Sequence, residues 1–166
     1  MVSETGGKVV VSDVQQLFSM SREQLDELFA NSPAGEIPSG VTDGIALVAP
    51  GTVCTKEIAA CLRYLAWQGK VFDVEKGSLK NRLSPFGFHA VSAKVYKGPS
   101  LHDSKECIVI DYSELPVVGQ WVRDEMRLAG PQLYLGKVYV AKKPLPVHFA
   151  LVPVKPPSDT ADEKNG

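Results

Sequence analysis

Apolar residues near the amino terminus recur at the spacing of two short helices. Ser12 or Asp13 can cap the first helix, and Ser21 with Gln24 three residues later forms a capping box for the second. The apolar positions of the two helices are Val14, Leu17, Phe18, Leu25, Leu28 and Phe29. A loop rich in glycine and proline follows, and the pattern then predicts a short strand at 45–49 and a helix capped by Thr55.

From Gly69 onward the apolar period shifts toward two, which is typical of strands. The pattern predicts a hairpin turn at 75–78, a long strand at 86–97 and an antiparallel return at 106–112. A helix is predicted after Ser113, ending at Gly130-Pro131, because residues at helical spacing roughly follow a single stripe, namely Val118, Trp121, Val122, Glu125 and Ala129. The last two strands, 133–141 and 147–154, flank a hairpin connection at Lys142-Lys143-Pro144.

Seven or so strands joined mostly by short turns predict an α+β fold. We expect a strongly curved antiparallel sheet or a small closed barrel with flanking helices. The predicted organisation is a flexible amino terminus at 1–11, a single barrel-like domain at 12–154 and a disordered tail at 155–166. A barrel of about eight strands has room for one small ligand.

Composition and charge exclude several classes of protein. The 166 residues are 44% hydrophobic with a formal net charge of -1, and the basic residues are scattered, so nucleic acid is not expected as a partner. The three cysteines lack the CxxC spacings of zinc or redox sites. No signal-peptide pattern and no apolar run of about 18 residues occurs, so a cytoplasmic protein without a membrane span is expected. No cofactor is expected, and a homodimer is left open.

The run YLAWQGKVFD at 64–73 resembles the W-x-GK-x-F signature of the proteins named for a GXWXG motif and of their companion domain of unknown function. The order of helices and strands is also similar over about half of the chain. Where that family has a tryptophan between glycines, this chain has Gly40-Val41-Thr42-Asp43-Gly44. The resemblance implies a lipocalin-like β-barrel without an assigned activity.

Candidate chemistry falls first on the segment that carries this signature. Trp67 can form a wall of a ligand site, and Lys70 can meet an anionic head group. The alternative is a core tryptophan beside a solvated lysine.

A second set of candidates lies on the later strands. Asp111 or His148 could act as a general base, and Tyr112 could donate a hydrogen bond to a developing oxyanion. The alternatives are a cap at Asp111 and a structural histidine at 148. Arg123 is either an anchor for a carboxylate ligand or part of a solvated charged face.

The leading functional hypothesis is a binding protein whose barrel encloses a small, largely apolar molecule. Its predicted wall residues are Trp67, Phe72, Phe88, Tyr96, Tyr112, Tyr139 and Phe149. The rival is a cofactor-free isomerase, cyclase or hydrolase that uses the same cavity, with Lys70 or Arg123 stabilising negative charge. Two or more convergent titratable groups in the cavity favour the enzyme. A third hypothesis is a protein-interaction module at Pro144-Leu145-Pro146.

Overall fold

The computed structural model describes residues 11–53, 55–56, 69–81, 92–114 and 121–155. A 3-10 helix, Val14–Ser19, and an α-helix, α1 (Arg22–Asn31), precede eight strands. The strands are β1 (Gly40–Val48), β2 (Gly69–Asp73), β3 (Ser78–Asn81), β4 (Ser92–Pro99), β5 (Glu106–Asp111), β6 (Val122–Gly130), β7 (Leu133–Val140) and β8 (Lys143–Pro153).

The eight strands form a closed antiparallel barrel in which each strand pairs with its neighbours in the sequence. β1 closes the barrel by pairing with β2 on one side and β8 on the other. Closure leaves no free sheet edge, which removes the main route to edge-to-edge aggregation. The predicted small closed barrel with flanking helices is therefore confirmed.

Both amino-terminal helices begin at the predicted caps. The Asp13 carboxylate accepts a hydrogen bond from the Gln15 amide at 3.0 Å. The Gln24 amide donates to the Ser21 hydroxyl at 3.2 Å, and the Ser21 amide donates to the Gln24 side chain at 2.8 Å. These reciprocal bonds satisfy amide groups that the first helical turn leaves without partners.

Two hydrophobic clusters separate the inside of the barrel from its covered outer face. The inner cluster draws on seven of the strands, and its buried members are Phe72, Leu79, Ala93, Val95, Ile108, Ile110, Tyr112, Met126, Tyr134, Val138, Val147, Phe149 and Leu151. The outer cluster packs the two helices onto β1 and β5–β8 through residues that include Leu25, Leu28, Phe29, Val109 and Leu135. Strands β5–β8 are therefore buried on both faces.

The helix predicted between Ser113 and Gly130 is wrong over its described part, because residues 122–130 form strand β6. Successive side chains of β6 point alternately into the barrel and toward α1, and most of them are buried. Burial on both faces removes the polar alternation that normally identifies a strand, so the apolar positions imitated a helical stripe.

Other boundaries differ less from prediction. β1 begins five residues before the predicted strand, the predicted turn at 75–78 is a turn at 74–77, and the last hairpin turns at 141–142. The predicted antiparallel pairing of 86–97 with 106–112 is confirmed for β4 with β5. Residues 86–91, most of the helix predicted after Thr55, and both predicted flexible ends apart from residues 11 and 155 lie outside the described residues.

Candidate functional site

Three titratable side chains meet inside the barrel, next to the apolar side chains of the inner cluster. The Lys70 ammonium nitrogen donates to the Tyr112 hydroxyl oxygen at 2.7 Å and lies 3.4 Å from Oδ2 of Asp124. The Tyr112 hydroxyl in turn donates to the same carboxylate oxygen at 3.2 Å. Lys70 is 1% exposed and Asp124 is 4% exposed. We call Lys70, Tyr112 and Asp124 the inner polar group.

Local backbone features place each member of the inner polar group. Lys70 follows Gly69, whose φ of +130° and close approach to the Thr42 carbonyl leave no room for a side chain. Asp124 lies on β6 directly opposite Ile110, and Tyr112 follows the last residue of β5. Gly69 thus allows β2 to pair closely with β1 and places the Lys70 side chain inside the barrel.

Phe149 completes the surroundings of the amine. The Lys70 nitrogen lies 5.7 Å from the centre of the Phe149 ring, within the range of a cation–π contact. The ring lies over Gly136 of β7, where even a Cβ atom would overlap it. Because Gly136 has no side chain, the Phe149 ring has room to lie next to the Lys70 amine.

Burial shifts both charged members of the inner polar group toward their neutral forms. Loss of solvation lowers the pKa of Lys70, although the Asp124 carboxylate opposes that shift. Loss of solvation also raises the pKa of Asp124, opposed by Lys70 and Tyr112. An amine and a carboxylic acid that both approach neutrality can exchange a proton with each other or with a bound molecule.

The structure divides the predicted site residues between the two faces of the barrel. Those inside are Lys70, Phe72, Tyr112 and Phe149. Those outside are Tyr96, Asp111, Arg123, Tyr139 and His148. Trp67 and Phe88 lie outside the described residues.

This division corrects the predicted catalytic set. Asp111 and Tyr112 are consecutive residues at the end of β5, so their side chains point to opposite faces of the barrel wall. The same holds for His148 and Phe149 on β8. Asp111 and His148 therefore do not face the barrel interior together with Tyr112, and Tyr96 and Tyr139 do not line it.

Asp111 and Arg123 face each other across β5 and β6 on the outer surface. Asp111 accepts hydrogen bonds from the Tyr96 hydroxyl at 3.2 Å and from the Ser113 amide at 2.8 Å. Arg123 donates to Glu125 and to the Pro99 carbonyl. An open groove of about 300 Å³ lies beside them, lined by Leu101, Asp111, Trp121, Val122, Arg123, Ala141 and Lys142.

His148 belongs to a buried charged cluster between α1 and the outer wall. Oδ1 of Asp26 lies 2.8 Å from Nε2 of His148 and accepts from the Lys137 ammonium at 2.7 Å. Burial lowers the pKa of His148, and contact with Asp26 opposes that shift. We call Asp26, Lys137 and His148 the outer polar cluster.

Sequence reasoning missed Asp124 as a site residue, because it stood in a charged run that resembled a solvated helix face. The charged run itself could have revealed Asp124 only once β6 was identified as a strand, since alternation then places Asp124 inside.

Cys107 is buried with its thiol pKa raised to about 12, so it stays protonated at neutral pH.

Among the described residues, no group of three or more histidine, cysteine, aspartate or glutamate residues is arranged to bind a metal ion. The helices described there are also too short or too polar to cross a membrane.

Comparison with known proteins identifies a solved structure with a similar fold. No family model matches the chain, and no curated protein is a significant match. A crystal structure of a protein from Thermomonospora curvata is similar, with a TM-score of 0.60 and 17% identity over 86% of this chain and 93% of that chain. At this identity the likeness shows the fold alone. The resemblance to the GXWXG-motif proteins stays a prediction.

Proposed function

We propose that the barrel interior binds a small, largely apolar molecule that carries one polar oxygen. The observation that supports this proposal is the convergence of Lys70, Tyr112 and Asp124 inside a wall of apolar side chains. Ligand sites in proteins combine a mostly apolar lining with a few polar groups that fix orientation. The inner polar group supplies such an anchor.

The apolar part of the ligand would lie against the inner cluster, near Phe72, Met126 and Phe149. Its oxygen would accept a hydrogen bond from Lys70 or Tyr112, because both side chains carry donor hydrogens. An alkane without an oxygen would leave those donors without a new partner, so the site should prefer an alcohol or carbonyl compound over an alkane.

The first test is native mass spectrometry of the protein purified from its own host, followed by denaturing extraction of any bound molecule. We expect a copurifying apolar compound, or binding of added 1-decanol. A matched pair of variants on β4 locates the site, since Ala93 is buried in the inner cluster and Lys94 is exposed. Ala93→Leu should weaken 1-decanol binding by about tenfold, the cost of roughly 1–3 kcal/mol for overfilling an interior. Lys94→Gln should leave binding unchanged.

A cofactor-free enzyme in the same interior is the second candidate. The convergence of three titratable groups favours it, as does the shift of Lys70 and Asp124 toward neutrality. In this mechanism Asp124 and Lys70 exchange protons with the substrate, in place of Asp111 and His148. Turnover of the copurified compound, abolished by Asp124→Asn with binding retained, would favour the enzyme over the carrier.

A further inference from the structure

We propose that Lys70 captures the carbonyl group of an apolar aldehyde or ketone as a covalent imine inside the barrel. The inference rests on the proposed binding of a small apolar molecule in the interior, and it names the chemical class of that molecule. A neutral primary amine is the nucleophile of this reaction, and desolvation in an apolar pocket is one of the means by which proteins produce it.

The contacts of Lys70 differ from those of Lys137, which is also buried among the described residues. Lys137 on the outer face has its ammonium 2.7 Å from the Asp26 carboxylate and 3.1 Å from Nδ1 of His102. The Lys70 nitrogen is 3.4 Å from the Asp124 carboxylate and donates to the Tyr112 hydroxyl at 2.7 Å. The distance from ammonium to carboxylate is therefore longer at Lys70 than at Lys137, and burial lowers the pKa of Lys70.

Asp124 is placed to supply and accept the protons of the reaction. The Lys70 lone pair attacks the carbonyl carbon, a C–N bond forms, and the oxygen becomes a hydroxyl by taking a proton that the nitrogen loses. The Asp124 carboxylic acid then protonates this hydroxyl, which leaves as water while the nitrogen lone pair forms the C=N bond. The products are a protonated imine, the Asp124 carboxylate as its counter-ion, and one water molecule.

The balance of this sequence needs no oxidant, reductant or further reactant. Two hydrogens of the amine and one of the carboxylic acid become one hydrogen on the iminium nitrogen and two in the released water. The Tyr112 hydroxyl, within hydrogen-bond distance of both Lys70 and Asp124, can donate to the carbonyl oxygen during attack. All three members of the inner polar group then have a role.

The test uses decanal as the probe and sodium cyanoborohydride to reduce any imine to a stable secondary amine. Wild-type protein is incubated with both, and the modified lysines are located by peptide mapping. We expect a mass increase equal to decanal less one oxygen atom at Lys70, formed several-fold faster than at any exposed lysine, because desolvation favours the neutral, nucleophilic form of the Lys70 amine. Lys137 should remain unmodified.

Two variants separate the proposed chemistry from simple binding. Asp124→Asn should slow the modification of Lys70 by about a hundredfold, the usual contribution of a positioned proton donor, and Asp111→Asn on the outer face should not change it. Circular dichroism checks that each variant is folded. If a variant is unfolded, the peptide map of the wild-type protein still tests whether Lys70 is modified.

The outcomes also separate this inference from the proposed function. Modification centred on Lys70 supports both. Binding of 1-decanol and decanal without modification of Lys70 overturns the imine and leaves the binding proposal intact. Absence of binding by either probe, with modification confined to exposed lysines, overturns both.

Discussion

The inner polar group and the outer polar cluster with its neighbours show two ways of burying charge in one small barrel. Outside, charged side chains lie under α1 and are held by opposite charges and backbone carbonyls. Inside, one amine, one hydroxyl and one carboxyl share three contacts in apolar surroundings. Paired charges of the outer kind fix the position of a helix, whereas groups desolvated in the interior shift toward their neutral forms. The outer face therefore has a structural role, and the interior is where we propose the chemistry.

Arg127 shows how thoroughly the outer face satisfies its charges. Its guanidinium binds the Asp103 carboxylate through two nitrogens at 2.7 and 2.8 Å and donates to the carbonyls of Phe29, Glu106 and Lys105. It also lies 4.6 Å from the centre of the Phe29 ring. Arg127, which lies on β6, thus joins this strand to α1 and to the loop before β5.

The largest effect is expected from Arg127→Met. The variant removes the guanidinium donor from three carbonyls and from the partly buried Asp103 carboxylate, and losing one partner of a buried ion pair costs up to about 3–5 kcal/mol. Urea unfolding measures the change in free energy. Arg127→Lys should recover only part of the loss, because an ammonium cannot reproduce the bidentate contact. A loss of unfolding free energy smaller than that of the interior variants would contradict a structural role for the outer face.

A smaller effect is expected from Lys70→Met in the interior. The remaining Asp124 can become neutral, since burial already raises its pKa, so we expect a loss of roughly 1–3 kcal/mol for the broken hydrogen bonds. The double variant Lys70→Met with Asp124→Leu should be as stable as the wild type or more stable, as replaced buried ion pairs often are. If the double variant were the least stable, the inner polar group would be structural.

The pH dependence of stability should differ in sign between His148 of the outer polar cluster and Asp124 of the inner polar group. The pKa of His148 is lowered in the folded protein, so the unfolded chain binds the proton more tightly. His148 therefore contributes stability above its ordinary pKa, near 6.5, that is lost as the pH falls below it. Asp124, with its pKa raised, has the opposite slope, because its contribution becomes less favourable as the pH rises above its ordinary value.

Unfolding free energies at pH 7.5 and 5.5, compared between the wild type and His148→Gln, measure the slope at His148, because groups common to both proteins cancel in the comparison. We expect stability to fall more in the wild type than in His148→Gln as the pH falls from 7.5 to 5.5. An unchanged difference would show that the slope arises at another group.

The smallest effect, and one of opposite sign, is expected from Tyr139→Phe. Among the described residues, the Tyr139 hydroxyl is a buried oxygen without a hydrogen-bond partner. Removing it leaves no partner unsatisfied, so the variant should be as stable as the wild type or up to about 1 kcal/mol more stable. Thermal unfolding checks this, with Tyr112→Phe as the matched control. That control should be destabilised because its hydroxyl bonds both Lys70 and Asp124.

Much of the fold follows from the sequence. The capping boxes at Asp13 and Ser21 are local, since the residues that bond each other lie two or three positions apart. The turn after Asp73 contains Gly77, whose φ is +58°, whereas the last hairpin turns at Ala141 and Lys142 without a glycine. Both turns were predicted close to their observed positions. The prediction of strand β6 failed because α1, distant in sequence, covers its outer face.

The site divides in the same way between sequence and tertiary structure. The sequence determined that a lysine follows a glycine beside aromatic residues, and that Asp111-Tyr112 end an apolar strand. Only barrel closure decided that Lys70 and Tyr112 meet Asp124 while Asp111 and His148 point outward. The physical reason is that a shift of one position along a strand moves a side chain to the other face, and pairing between distant strands fixes that register.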